Sequence, residues 1–511
     1  MTADTLPDDQ SEVIAFLADP ASHGGAAVEH VETHGAHVFL SGETALKVKR
    51  AVRYDYMDFS TLEKRRAMLA RELELNHAAA PEIYRDLVAI TRESDGRLAL
   101  GGTGVPVEWA LRMRRFPAEA ELSAVAARGA LDDRLADELG RAIAAYHEKA
   151  ARRETDESEL IASILRELRD AFAGMDDMLD EVRVRKFDAQ ALQHLDALTP
   201  LLKARTRAGQ VRRVHGDLHL GNLVLIDGRP VPFDALEFDE RLGTCDVLYD
   251  LAFLLMDLCH LGFRRAANIT MGAYLFAAKG AQDGGVAALP LFMAVRAAIR
   301  AMVLVQTGRA RGDASKTQAE AQQYLNEALA MLAPQTPRLI AVGGRSGTGK
   351  TALARGLAPE VGGVCGAVHL RSDLERKALA GVDVKTHLPP ETYTKEASDK
   401  VYARLLERAD TLLRAGASVV LDAAFLDPAE RDAAEVLAAE RGVRFDGIWL
   451  EAPVDQLVAR VTARKGDASD ADATVVRKQL GFDVGPVDWH VVDTSGTKEA
   501  TLGEARAALE L

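Results

Sequence analysis

The chain is poor in aromatic residues, which fill 5% of its 511 positions, and it has only three cysteines, Cys245, Cys259 and Cys365. None stands in a Cys-x-x-Cys pair, which argues against a disulfide-built scaffold and against a structural zinc site. Positive charge is in deficit: 63 Lys and Arg against 77 Asp and Glu leave a net charge of −14. A field of that sign repels phosphate backbones, so nucleic acid is not an expected partner. Residues 1–10 lack the basic start and apolar run of a signal peptide. Long uncharged apolar runs are missing too. The most apolar stretches, around 247–263 and 289–306, are interrupted by Asp250 and Asp257, and by Arg296 and Arg300, so they read as buried helices and not as membrane spans. A reducing cytoplasm is the expected compartment, without a membrane partner. The sequence leaves the oligomeric state open.

What is present is an ordinary globular composition, 48% hydrophobic and 27% charged, in a chain too long for one core. The clearest seam is Ala333-Pro334-Gln335-Thr336-Pro337, where two prolines end a helical stretch and stiffen the connection. The expected organisation is an extension with a first helix over 1–24, a first domain over 25–333, a linker over 334–337 and a second domain over 338–511. Within the first domain, extended segments at 28–33, 37–41 and 44–49 precede a helix at about 60–79. Strand-like runs follow at 86–91, 97–100 and 106–114. The pattern is helical over 132–208, strand-and-loop over 211–238 and helical again over 247–332. This predicts an α+β domain of two lobes, divided near residue 116. After the seam, strands near 338–342, 366–371, 418–422, 446–450 and 490–493 alternate with helices, which predicts an α/β domain with a parallel sheet.

The second domain opens with Gly344-Arg345-Ser346-Gly347-Thr348-Gly349-Lys350-Thr351, a full G-x-x-x-x-G-K-[ST] between an apolar strand and a helix. Glycines let the backbone wrap so that N–H groups face a phosphate. The helix N-terminus and Lys350 add positive charge, and Thr351 offers a hydroxyl to magnesium. ATP is therefore the expected ligand. Asp422 ends the apolar run Val419-Val420-Leu421, at the strand end where α/β ligands bind. It is placed to hold the magnesium shell, or to bind and activate the acceptor. Asp373 follows the run 367–372 in the same way, and is alternatively a cap for a helix starting at Leu374. Arg460 and Arg464 lie four residues apart on a predicted helix over 454–465, beside Gly466 to Asp470. They suggest a lid over the nucleotide phosphates, with a solvated basic face as the alternative. On these residues, about 338–495 resembles the small P-loop kinases grouped with gluconate kinase, adenylylsulfate kinase and the zeta-toxin kinases. That resemblance implies substrate contacts for Asp373 and Arg376, and ATP contacts for Arg460 and Arg464.

The first domain carries His215-Gly216-Asp217, Asn222 and, after the apolar run 223–226, Phe233-Asp234. This is the order H-x-D-x-x-x-x-N followed by a hairpin aspartate, which kinase-type phosphoryl transfer uses. Asp217 is expected to orient the acceptor hydroxyl, with Asn222 and Asp234 on magnesium. Lys47, in Thr44-Ala45-Leu46-Lys47, is the expected phosphate lysine, and Lys49 on the same strand face is the runner-up. Glu72 borders the apolar stripe of the following helix and is the expected partner of that lysine. Glu63 reads instead as part of a capping box with Ser60. With Asp246-Val247-Leu248-Tyr249-Asp250, these residues resemble the aminoglycoside phosphotransferases over roughly 25–330. The resemblance implies a two-lobed protein-kinase-like fold, a bracing role for Asp250 and an adenine hinge near Met113 to Phe116. Two features depart from that pattern. No G-x-G-x-x-G covers the phosphates, since the first turn offers only His34-Gly35-Ala36. The continuation Asp234-Ala235-Leu236-Glu237 also differs from the usual one.

The expected function is a bifunctional ATP- and Mg2+-dependent kinase acting on hydroxyl groups of small molecules. The alternative is that one half binds ATP as a regulatory module and only the other transfers phosphate. Aminoglycoside resistance needs an acidic acceptor pocket, and Asp176-Asp177 and Asp180-Glu181 read rather as solvated helix faces. No recognisable activation segment follows Asp234, which argues against a protein kinase.

Overall fold

The computed structural model describes residues 8–54, 57–384, 386–463, 470 and 472–511. Arg464 and most of the expected lid, 466–469, lie outside the described residues. The chain divides into two compact units. One comprises residues 1–131, 146–160 and 206–250, and the other 132–145, 161–205 and 251–511.

In the first unit, β-rich segments build a six-stranded sheet. Its order is Val28–Glu32, Ala36–Ser41, Thr44–Lys49, Val105–Arg114, Tyr84–Arg92 and Leu98–Leu100. Each strand pairs antiparallel with its neighbours. Alternation buries Phe39, Leu46, Val48, Ile90 and Ala110 together with Val13 and Leu17 of the helix Ser11–Ala18. The helix Leu62–His77 turns Leu69 to a second cluster with Tyr84, Leu111 and Val231. Its N-cap is Thr61, whose hydroxyl accepts the Lys64 N–H at 3.4 Å. The cap expected at Ser60 is thus displaced by one residue, because the Ser60 hydroxyl donates to Asp58 at 2.6 Å. Glu63 falls at the second helical position, where a capping box with Ser60 does not form. Beyond the sheet, the loop 214–222 leads into the hairpin Leu223–Ile226 with Arg229–Pro232.

The second unit holds apolar helices and the P-loop fold. The helical stretch 283–311 is long and apolar enough to cross a membrane, with an 18-residue window of mean hydropathy 1.9, but 67% of that window is buried inside the protein. A five-stranded, wholly parallel sheet follows, in the order Val368–Arg371, Val419–Asp422, Arg338–Gly344, Arg444–Glu451 and His490–Asp493. Parallel strands are covered on both faces and therefore read as continuous apolar runs, as in Leu339-Ile340-Ala341-Val342. One face packs on Leu353, Ala354 and Leu357 of the helix Lys350–Leu357. The edge strand Val368–Arg371 lies against the helix Arg264–Ala277. There Asn268 Nδ2 donates to Cys365 O and Ala367 O, both at 2.8 Å, occupying carbonyls at the strand's entry.

Candidate active sites

In the first unit the strand alternation puts Lys47 and Lys49 on one face, and the helix Leu62–His77 points Glu72 at both. Lys47 Nζ is 2.8 Å from Glu72 Oε1 and 2.6 Å from Asp234 Oδ1. Lys49 Nζ is 2.6 Å from Glu72 Oε2, an ion-pair contact without hydrogen-bond alignment, and 2.6 Å from Glu237 Oε1. Glu72 is fully buried. Burial opposes the charge on Lys47, but Asp234 and Glu72 outweigh it and hold the amine well above the ordinary lysine value. Desolvation also works against Asp234, although its side chain keeps 41% of its surface. Lys47 and Lys49 still hold its carboxyl below the usual range. Glu237 goes the other way, its carboxyl raised by burial despite Lys49.

The loop that carries Asp217 and Asp234 is fixed from behind. Asp234 takes a positive φ of 61°, a conformation that costs a non-glycine residue roughly 1 kcal/mol or more. It is held there because its N–H donates to the Tyr84 hydroxyl at 2.9 Å, and the next N–H, of Ala235, donates to Asn76 Oδ1 at 2.8 Å. Gly216 has φ 81°, and a Cβ there would meet Gly243 Cα and the Leu236 side chain at 3.1 Å. Asp250, fully buried, accepts the His215 N–H at 3.2 Å and the Gly216 N–H at 2.8 Å, and lies 3.0 Å from His147 Nε2. That is the bracing geometry the sequence resemblance implied. Asn222 Nδ2 donates to Asp217 O and Oδ2 at 2.9 and 3.0 Å. Met113 pairs across to Ala45 and Tyr84, and clusters with Phe116 and Phe233 just before Asp234.

In the second unit the cradle glycines are conformationally required. Gly344 and Gly347 have φ of 133° and 89°, and an added Cβ would lie 2.6 Å from Leu450 O or 2.7 Å from Leu457 O. Lys350 Nζ donates to Gly344 O and Arg345 O at 2.9 and 3.0 Å, across the mouth of the loop. Thr351 Oγ1 donates to Asp422 Oδ2 at 2.7 Å. The same oxygen lies 3.2 Å from His369 Nε2 and 3.6 Å from Arg371 Nε. Burial opposes ionisation of Asp422, yet His369 and Arg371 hold it at about 2. Arg460 reaches the cradle, with its guanidinium 3.4 Å from Gly347 O and 3.2 Å from Thr494 Oγ1.

Asp373 lies in the first turn of the helix Ser372–Ala380, which starts two residues earlier than expected. The cap position is Arg371 and makes no side-chain cap bond, so the reading of Asp373 as a cap is corrected. Arg376 donates to Thr392 O at 2.8 Å and lies over the Tyr393 ring. Asp176 and Asp177 are exposed, but in a turn and not on a helix face. Sequence reasoning missed Glu237's pairing, the Tyr84 and Asn76 supports, His369 and Arg371 behind Asp422, and Gln479, whose Oε1 accepts the Ser346 N–H of the cradle at 2.7 Å. The His369-x-Arg371 alternation was visible, but not the register that sets Arg371 beside Asp422.

A protein of Mycobacterium tuberculosis and one of Mycobacterium bovis, each described as uncharacterized, are 31% identical to this chain over 491 residues, 93% of this chain and 94% of theirs. Residues 42–283 match the Phosphotransferase enzyme family, and residues 339–482 match an AAA domain family. The chain belongs to the same family as these two mycobacterial proteins. An adenylyl-sulfate kinase of Myxococcus xanthus is 34% identical over 120 residues, 23% of this chain and 59% of that one. Among solved structures, a choline/ethanolamine kinase family protein from Mesorhizobium loti is similar at 16% identity and TM-score 0.39, covering 63% of this chain and 98% of that one. A gluconokinase from Sinorhizobium meliloti is similar at 22% identity and TM-score 0.27, covering 35% and 94%. The chain is a phosphotransferase with a protein-kinase-like α+β domain followed by an α/β P-loop domain.

Proposed function

We propose that the chain is a bifunctional kinase, phosphorylating hydroxyl groups of small molecules at two separate ATP sites. The carrying observation is that each half assembles its own charged set: Asp234–Lys47–Glu72 in one, and Lys350 with Thr351–Asp422 in the other. In the first half Asp217 orients the acceptor hydroxyl and takes its proton, Lys47 held by Glu72 binds nucleotide phosphates, and Met113 borders the adenine. In the second, residues Gly344 to Thr351 cradle the phosphates, Arg460 contacts them beside Gly347, and Asp373 binds the acceptor. Arg464, expected in the same role as Arg460, lies outside the described residues.

Magnesium fits both donor sets. Asn222 and Asp234 would hold it in the first half, Thr351 and Asp422 in the second. Among the described residues no group of three or more His, Cys, Asp or Glu is placed to hold a metal. Magnesium suits such sites because it is usually held by one or two carboxylates plus substrate phosphates. When bound, it supplies neutralisation of phosphate charge. The ionised state of Asp234 and Asp422, both held below the usual carboxylate range, supports this assignment. The acceptors are hydroxylated metabolites of the cytoplasm, with no nucleic-acid or membrane partner. The test is ATP turnover over a panel of such metabolites. If Asp217→Asn and Lys350→Ala each leave it unchanged, the proposal is abandoned. If one half binds nucleotide tightly but never transfers, the regulatory reading replaces it.

A further inference from the structure

The row of charges in the first half is longer than phosphate binding by Lys47 requires. It runs Asp234, Lys47, Glu72, Lys49, Glu237, alternating in sign, and its four links span 2.6 to 2.8 Å. The charges sum to two cations against three carboxylates, so each lysine sits between two acids. Lys49 is 3% exposed, Glu72 0%, and the Glu237 side chain 8%. The Lys49 ammonium also stands 5.7 Å from the Phe59 ring centre, and its backbone carbonyl accepts from Gln10 Nε2 at 2.9 Å. The row is also faced by the Tyr84 hydroxyl, which takes the Asp234 N–H, and by Asp217, whose negative charge opposes that of Asp234.

On the reading above, Asp234 and Lys47 both have to exchange partners when nucleotide and metal arrive, since each currently occupies the other. Glu72 then keeps an anchor only if its second oxygen is held elsewhere. Lys49 holds that oxygen. Lys49 also ties down Glu237, which lies three residues after Asp234 and would otherwise be a buried, unpaired carboxylate or a competitor for the cation meant for Asp234.

We infer that Lys49 is a positioning residue. It clamps Glu72 and Glu237 so that Lys47 stays aimed while it changes partner from Asp234 to the nucleotide phosphates. The inference rests on the kinase reading of the first half. The raised carboxyl of Glu237 adds a signature, because losing Lys49 removes the cation that keeps Glu237 ionised.

The experiment uses the full chain carrying Lys350→Ala, so that the second half is silent, with MgATP as the probe. Lys49→Met is expected to lower turnover about tenfold or more while MgATP affinity stays within about threefold of the parent. Its acid limb, followed over about pH 5.5 to 9, moves to higher pH. Lys49→Arg restores most of the rate. Lys47→Met behaves differently, losing MgATP affinity as well as rate. Parent-like turnover and pH limb in Lys49→Met would overturn the inference, as would a loss of MgATP affinity as large as that of Lys47→Met. If Lys49→Met proves unstable by thermal melt, the double variant Lys49→Met/Glu237→Gln removes both members of the end pair without leaving a buried charge. A low rate in the double variant supports the inference and a parent rate overturns it. Asp217→Asn separates the two failures. If it abolishes turnover and Lys49→Met does not, only the Lys49 inference falls. If it leaves turnover intact, the kinase reading of this half falls first.

Discussion

Replacing Asp422 by Asn keeps volume and shape and removes one buried charge. In the native chain Asp422 is 4% exposed and its Oδ2 meets Thr351, His369 and Arg371. Its carboxyl is held at about 2 against an ordinary 3.8. That difference is worth about 2–3 kcal/mol of stability at neutral pH. The folded value is the depressed one, so the stabilisation is complete above about pH 4 and is lost as pH falls towards 2. Asp422→Asn should therefore be less stable than the parent by about 2–3 kcal/mol at pH 7, with a gap that closes as pH falls below about 4. Urea unfolding followed by tryptophan fluorescence measures this. Trp449 and Trp489 lie in the P-loop fold and are buried, and a Trp109→Phe background removes the signal of the first half. A gap below about 0.5 kcal/mol at pH 7, or one that persists unchanged at pH 3, would refute the reasoning.

Three further outcomes follow from single contacts. Gly347→Ala places a Cβ 2.7 Å from Leu457 O at φ 89°, so ATP binding by the second half should weaken about tenfold or more in a titration on the Asp217→Asn chain. Asp250→Ala strips the His215 and Gly216 N–H groups of their acceptor, and should cost about 3 kcal/mol together with first-half turnover, read by thermal melt and phosphate release. Glu430 is raised from 4.5 to about 7 by burial, so its ionisation destabilises the fold as pH climbs through that window. Glu430→Gln should be more stable than the parent by up to about 2 kcal/mol at pH 8, allowing for its partial exposure, and equal to it near pH 4.5. Equal stability of the two at pH 8 would count against this account.

Much of the architecture was legible because local pattern and tertiary role agree. The apolar runs ending in Gly344 and Asp422 are short, continuous and followed by helices, as buried parallel strands require. Asp217, Asn222 and Asp234 sit within 18 residues, so their spacing alone singles them out as a candidate set. Lys47 and Glu72 were found from strand alternation and a helical stripe. What stayed hidden depends on register between distant segments. That both lysines grip one glutamate follows from the packing of the helix Leu62–His77 on the sheet, which no local pattern encodes. That His369 and Arg371 serve Asp422 follows from strand pairing 51 residues apart, Arg371 opposite Asp422. The helix start at Leu62 was misplaced because Ser60 had a competing partner in Asp58, a choice the S-T-L-E pattern does not encode.

The most direct test of the central claim follows labelled γ-phosphate from ATP onto a panel of hydroxylated metabolites, using the parent chain, Asp217→Asn, Lys350→Ala and the double variant. Two independent active sites predict that each single variant loses a different subset of phosphorylated products and that the double variant loses all of them. If either single variant alone abolishes every product, or if the double variant still transfers, the account of two kinases in one chain is contradicted.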